Sequence, residues 1–118
     1  MPSAIENFFA AWGMTDDGAR ANVIQDCVPT KFYYVDPRTD TPISDLPALV
    51  SYVAMYTQYA PGATATVVAQ STTKSHVRAT VEFGMPDGKT QLGQYFIDCD
   101  SDGRLCNMVG FVGLGEPA

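Results

Sequence analysis

Lys31-Phe32-Tyr33-Tyr34-Val35-Asp36-Pro37 reads as a short β-strand that stops on an aspartate. Its aromatic and β-branched residues suit a pleated surface, and a proline biases the residue before it to extended geometry. Upstream, Ser3 and Glu6 form a capping-box pattern, and Ile5, Phe8, Phe9 and Trp12 recur at the spacing of one helical face. Gly13 interrupts that helix. Thr15 or Asp16 can cap a second one, with Ala19, Val23 and Cys27 on a shared face and Pro29 closing it. Downstream of the strand, residues 37–44 form a polar, proline-containing loop. Asp45 can then cap a third helix that runs to about Ala60 and ends at Pro61-Gly62.

Beyond Gly62 the pattern changes to alternation. Thr64 to Ser75 is rich in Thr, Val and Ala, and Val77, Ala79, Val81 and Phe83 alternate with Arg78, Thr80 and Glu82. Pro86-Asp87-Gly88-Lys89 is a hairpin signal before a return strand over 90–99, and Asp102-Gly103 marks a second hairpin into Leu105 to Val112. Helices first and a meander after is the α+β pattern. The expectation is one domain over 1–118, with three N-terminal helices packed in the concavity of a curved antiparallel sheet. A sheet with one covered face must curl around its helices or leave apolar surface bare, so the arrangement encloses a pocket. On the third helix, Leu46, Leu49, Val50, Val53 and Thr57 gather on one stripe. Tyr52, Tyr56 and Tyr59 lie on an adjoining flank, suited to a pocket wall or a subunit interface.

With 118 residues, 46% of them hydrophobic and 17% charged, the chain has globular composition. Its net charge of −6 argues against the phosphate-tracking role of a nucleic-acid binder, which needs a basic stripe, and disfavours anionic membranes. Met1 to Glu6 lacks the basic segment of a signal peptide, and no apolar run approaches a membrane span of roughly 18 residues. Cys27, Cys99 and Cys106 are odd in number and widely spaced, which fits reduced thiols in a cytoplasmic protein.

Three segments then resemble the nuclear transport factor 2-like superfamily, which includes ketosteroid isomerases and SnoaL-like polyketide cyclases. They are Phe8-Phe9-Ala10-Ala11-Trp12, then Tyr34-Val35-Asp36-Pro37 with the loop and helix that follow, and the last hairpin from Phe96 to Leu105. The resemblance implies a cone-shaped α+β barrel with a deep pocket, often dimeric through the outer sheet face. It also implies a role for Asp36, because ketosteroid isomerases keep their general base on an aspartate directly before a proline at the end of the first strand. A carboxylate so placed can move a proton on a carbon beside a carbonyl. Where that family has its oxyanion-hole tyrosine this chain has Phe8, and where it has a protonated aspartate this chain has Tyr95, whose hydroxyl can donate. Losing one oxyanion donor costs on the order of 10²–10³ in rate, which argues against steroid isomerisation itself.

Several functions fit these residues. One is an isomerase, cyclase or dehydratase with Asp36 as general base and Tyr95 as donor, acting without a cofactor on a small apolar carbonyl compound. Another is a non-catalytic binder of an apolar molecule. The pocket residues expected across these readings are Phe8, Trp12, Tyr34, Met55, Tyr56, Val81 and Phe83. A third is a homodimeric interaction module using the sheet face that carries Arg78, Thr80 and Glu82. Asp36 has a purely structural alternative too, since an aspartate before a turn accepts backbone N–H bonds. Asp98-x-Asp100-x-Asp102-Gly103 copies half of a calcium loop but has Val109 where the bidentate glutamate belongs, so it reads as a solvated hairpin. His76, the one histidine, alternates with Lys74 and Arg78 and reads as a surface residue. No metal site is expected.

Overall fold

The computed structural model describes residues 3–113; residues 1–2 and 114–118, at the ends of the expected domain, lie outside the described residues. Helix α1 (Ala4–Ala11) begins at the reciprocal Ser3–Glu6 capping box. Helix α2 (Asp17–Cys27) is capped by Asp16, which accepts from the Ala19 N–H at 2.7 Å. Strand β1 (Tyr33–Val35) follows, then α3 (Leu46–Tyr59), capped by Asp45 through the Ala48 N–H at 3.0 Å. Strands β2 (Thr64–Thr73), β3 (His76–Gly84), β4 (Thr90–Cys99) and β5 (Leu105–Val112) complete the order. Among the described residues no helix is long and apolar enough to cross a membrane.

The five strands form one open sheet in the order β1-β5-β4-β3-β2. The consecutive strands β2 to β5 pair antiparallel, as the hairpin signals predict. The sheet departs from an all-antiparallel one at its edge, where β1 runs parallel to β5. Hairpins force antiparallel pairing only on the strands they join. β1 is separated from β5 by α3 and three strands, so no tight turn sets its direction.

The second correction concerns α2. Its buried residues are Arg20, Ile24 and Cys27, with Val23 partly buried against the core, so the inward face keeps the expected Val23–Cys27 side and extends to include Arg20. The Arg20 guanidinium donates to the Met14 carbonyl, to Asp17 and, at 3.5 Å, to the Thr57 hydroxyl, which itself donates to the Trp12 carbonyl at 3.2 Å. One buried cation thus joins the end of α1 to α2 and α3.

The helices cover the inner sheet face, where Val77, Ala79 and Val81 of β3 and Tyr95 and Ile97 of β4 are buried against Phe8, Phe9, Leu49 and Val53. The outer face carries Phe96 and Phe111 in edge-to-face contact at 5.5 Å, 47% and 49% exposed. Gly110 of β5 lets three segments approach. A Cβ there would lie 2.7 Å from the Tyr95 ring and 3.1 Å from the Asp36 Cβ. Gly110→Ala is therefore expected to lower the unfolding free energy by about 1–3 kcal/mol, the usual cost of overpacking. Urea unfolding of the variant beside the parent protein measures it, and equal midpoints would contradict the close approach.

Candidate functional site

Tyr34 is locked at both backbone groups, its N–H donating to the Ile43 carbonyl at 2.9 Å and its carbonyl accepting from Ile43 at 2.8 Å. The intervening loop is folded back on β1, and Asp36 stands at its start. Asp36 Oδ1 accepts the Arg38 and Thr39 N–H groups at 2.9 and 3.1 Å, an Asx-type turn. The same carboxylate faces tyrosines. The Tyr34 hydroxyl donates to Oδ2 at 2.6 Å, and the Tyr52 hydroxyl lies 2.6 Å from Oδ1 and 2.7 Å from Oδ2. The turn and the pocket wall therefore use one side chain at once.

Tyr34 and Tyr95 place their hydroxyl oxygens 2.9 Å apart. A phenol has one hydrogen, and that of Tyr34 is given to Asp36, so Tyr95 donates to Tyr34. The hydrogens run in one direction, from Tyr95 to Tyr34 to Asp36, with Tyr52 approaching from the other side. Burial raises the pKa of Tyr34 and Tyr52, and their interactions with Asp36 raise both further. Burial also raises that of Tyr95, and the Asp36 charge raises it as well. All three stay neutral donors at physiological pH.

Asp36, Tyr52 and Tyr95 form the polar end of a cavity of about 450 Å³. Trp12, Tyr56 and Phe83 wall it, with ring centroids 5.3 Å (Trp12–Tyr56), 5.8 Å (Trp12–Phe83) and 6.0 Å (Tyr56–Phe83) apart. Tyr52 meets Trp12 at 6.1 Å, and the exposed Met55 and Tyr59 also line the space. Of the residues expected in the site, Asp36, Tyr95, Trp12, Met55, Tyr56 and Phe83 meet at this cavity. Phe8, Tyr34 and Val81 do not line it; they are fully buried behind it, and Tyr34 acts on the site through its hydroxyl. The bond that sequence reasoning missed is Tyr52 to Asp36. Helical periodicity puts Tyr52 on the tyrosine flank, but no spacing signals its partner. The Trp12 indole N–H is buried without an acceptor.

On the outer face, the register sets His76 opposite Asp98 and Asp98 opposite Asn107. His76 Nδ1 and the Asn107 amide both bond the Asp98 carboxylate, and the His76 side chain is 68% exposed. Asp100 accepts the Asp102 and Arg104 N–H groups at 2.9 Å each, so the calcium-like run is a hairpin turn.

No family model and no curated protein matches the chain. Solved structures do. A candidate isomerase of the SnoaL-like family from Agrobacterium tumefaciens superposes with a TM-score of 0.83 at 20% identity, over 94% of this chain and 95% of its own. A hypothetical protein from Catenulispora acidiphila with a ketosteroid isomerase-like fold, in complex with trimethylamine, gives 0.77 at 13% identity over 97% and 88%. A nuclear transport factor 2-like protein of unknown function from Cytophaga hutchinsonii gives 0.68 at 10% identity over 93% and 87%. At these identities the likeness is one of fold.

The direction of the hydroxyl chain orders two substitutions. Tyr34→Phe strands the buried Tyr95 hydroxyl without an acceptor and removes a donor from Asp36, at an expected cost of about 1–3 kcal/mol. Tyr95→Phe leaves only an acceptor unfilled, which folds tolerate better, so it should cost less. Chemical unfolding of the two variants checks the order, and a larger loss for Tyr95→Phe would reverse the chain.

The Asp98 site carries a pH dependence. The bond from His76 holds its carboxyl below the ordinary value, partial burial opposes, and Asn107 adds to the lowering. A carboxyl lowered in the fold stabilises it above the unfolded value, about 3.9, and that contribution is lost as pH falls through the depressed one. The stability difference between the protein and Asp98→Asn should therefore shrink as pH is lowered below about 4. Urea unfolding across that range tests it; a difference that does not change would remove Asp98 from the acid response.

Proposed function

We propose that this chain, which has the nuclear transport factor 2-like fold, binds a small, largely apolar molecule in its aromatic cavity with Asp36 as the polar anchor. One observation carries the reading: a carboxylate stands in the wall of an otherwise mostly aromatic and aliphatic cavity of about 450 Å³. That size is within the range of small-ligand sites, which combine apolar walls with a few placed polar groups. The Catenulispora acidiphila protein of the same fold, in complex with trimethylamine, supports a small-molecule role.

A second reading makes Asp36 a general base of the isomerase, cyclase or dehydratase kind. Its support is the placement of Asp36-Pro37 on the cavity wall just after β1. The hydrogen bonds weigh against it. A carboxylate has about four acceptor positions, and Tyr34, Tyr52, Arg38 and Thr39 supply donors to them. Tyr95, the expected oxyanion donor, spends its hydrogen on Tyr34. A proton-abstracting Asp36 would first have to lose the Tyr52 bond.

The proposal extends to a homodimer through the outer sheet face, where Phe96 and Phe111 are half exposed. It also extends to the cytoplasm, where the three free thiols stay reduced.

The deciding experiment is a thermal-shift screen of small apolar compounds against the protein and Asp36→Asn, with product analysis of every hit. Anchoring predicts at least about tenfold weaker binding to the variant, the loss of a charge-assisted contact, and no conversion of the hit by either protein. Conversion by the parent and not by Asp36→Asn would favour the general base instead. Hits that bind both proteins equally and remain unconverted would remove Asp36 from the function.

A further inference from the structure

The polar end of the cavity offers charge and lone pairs but few hydrogens. The hydroxyl hydrogens of Tyr34 and Tyr52 go to Asp36, that of Tyr95 goes to Tyr34, and that of Tyr56 goes to the Thr64 carbonyl at 3.1 Å. A carbonyl or carboxylate group entering beside Asp36 meets tyrosine oxygens whose hydrogens point elsewhere; donors elsewhere on the lining include Arg38, Gln91 and the buried Trp12 indole N–H. An anion would also meet the Asp36 charge. Among the described residues no cationic side chain forms an ion pair with that carboxylate.

We infer that the preferred occupant is a substituted organic ammonium ion, tertiary or quaternary, with its alkyl groups on the aromatic walls and its charge toward Asp36. The inference rests on the proposed binding role and names the class of ligand. Three features select it. Among the described residues no cation pairs with Asp36, so a cationic ligand gains Coulomb energy at a low-dielectric wall. The carboxylate's acceptor positions are already supplied, which favours a cation that asks for one hydrogen bond or none over a primary amine that asks for three.

The third feature is the aromatic wall. A cation gains when it lies within about 6 Å of a ring centroid, most over tryptophan. Tyr52, Tyr56 and Phe83 stand at 85°, 67° and 59° to the plane of Trp12, so the aromatic residues that line the cavity meet at steep angles rather than as a stack. One group opposes. Arg38 lines the cavity, its side chain is exposed, and its charge lowers the pKa of Tyr52, Tyr56 and Tyr95 against the larger raising effects. Its guanidinium sets a repulsive rim that removal should relieve.

Three probes of nearly one shape test the inference: choline, its neutral carbon isostere 3,3-dimethylbutan-1-ol, and the anion 3,3-dimethylbutanoate. Each is titrated at millimolar concentrations into the protein, Asp36→Asn and Arg38→Ala, following the Trp12 indole resonance by NMR. Choline should bind at least about tenfold tighter than the alcohol, and the anion should bind weakest. Asp36→Asn should erase the preference for charge, and Arg38→Ala, at an exposed position that leaves Asp36 and the rings in place, should strengthen choline binding several-fold. If the alcohol binds as tightly as choline, the ammonium class is overturned while the cavity keeps its binding role. If none of the three moves the indole, the binding role is overturned as well. Choline binding unaffected by both substitutions would place its charge away from Asp36 and also overturn the inference.

Discussion

The structure is organised around satisfying one carboxylate. A half-buried charge is costly unless it is hydrogen-bonded, and Asp36 draws its donors from the strand before it, the loop after it and the third helix. Each charge-assisted bond is worth about 1.5–3 kcal/mol at most and the set is not additive. The geometric consequence is larger than the sum. Tyr52 ties α3 to the end of β1, and Tyr34 extends the tie to Tyr95 on β4. Gly110 on β5 leaves room for the Tyr95 ring and Asp36 to approach each other.

Arg20 does the corresponding work among the helices. It joins α2 to the residues after α1 and to Thr57 on α3, and Thr57 returns a bond to the Trp12 carbonyl. The third helix is therefore fixed at three places along its length, by Tyr52 to the residue after β1, by Tyr56 to β2 and by Thr57 to the other helices. Trp12 stands between the two knots. Its backbone belongs to the Arg20 network, and its ring belongs to the cavity wall. The fold alone sets no function, since such scaffolds host unrelated activities. Here the polarity of the cavity comes from which way four tyrosine hydroxyls point.

Much of the architecture was legible because its signals are local. The caps Ser3, Asp16 and Asp45 act on N–H groups within three residues, so helix starts can be read directly from the chain. Alternation of Val77, Ala79 and Val81 with Arg78 and Thr80 gave the buried face of β3 for the same reason. The direction of β1 was not legible, because its partner β5 is remote and no turn joins them. Nor was the burial of Arg20 on α2, since an arginine scores as surface until the carbonyl and hydroxyl that satisfy it are in place.

The candidate site divides along the same line. Asp36 is singled out by its place before Pro37 in the resemblance to ketosteroid isomerases, with a turn as its structural alternative; the structure supplies the turn's donors, the Arg38 and Thr39 N–H groups. The tyrosine flank followed from helical spacing. What the sequence by itself determined was thus the elements and their order. Tertiary structure alone decided that Tyr52, 16 residues away, closes on Asp36, and that Tyr34 meets Tyr95 across 61 residues. It also decided that Phe8 and Val81 lie behind the cavity rather than on it. The physical reason is that a hydroxyl hydrogen goes to whichever acceptor the fold brings near, and residue spacing carries no record of distances across the sheet.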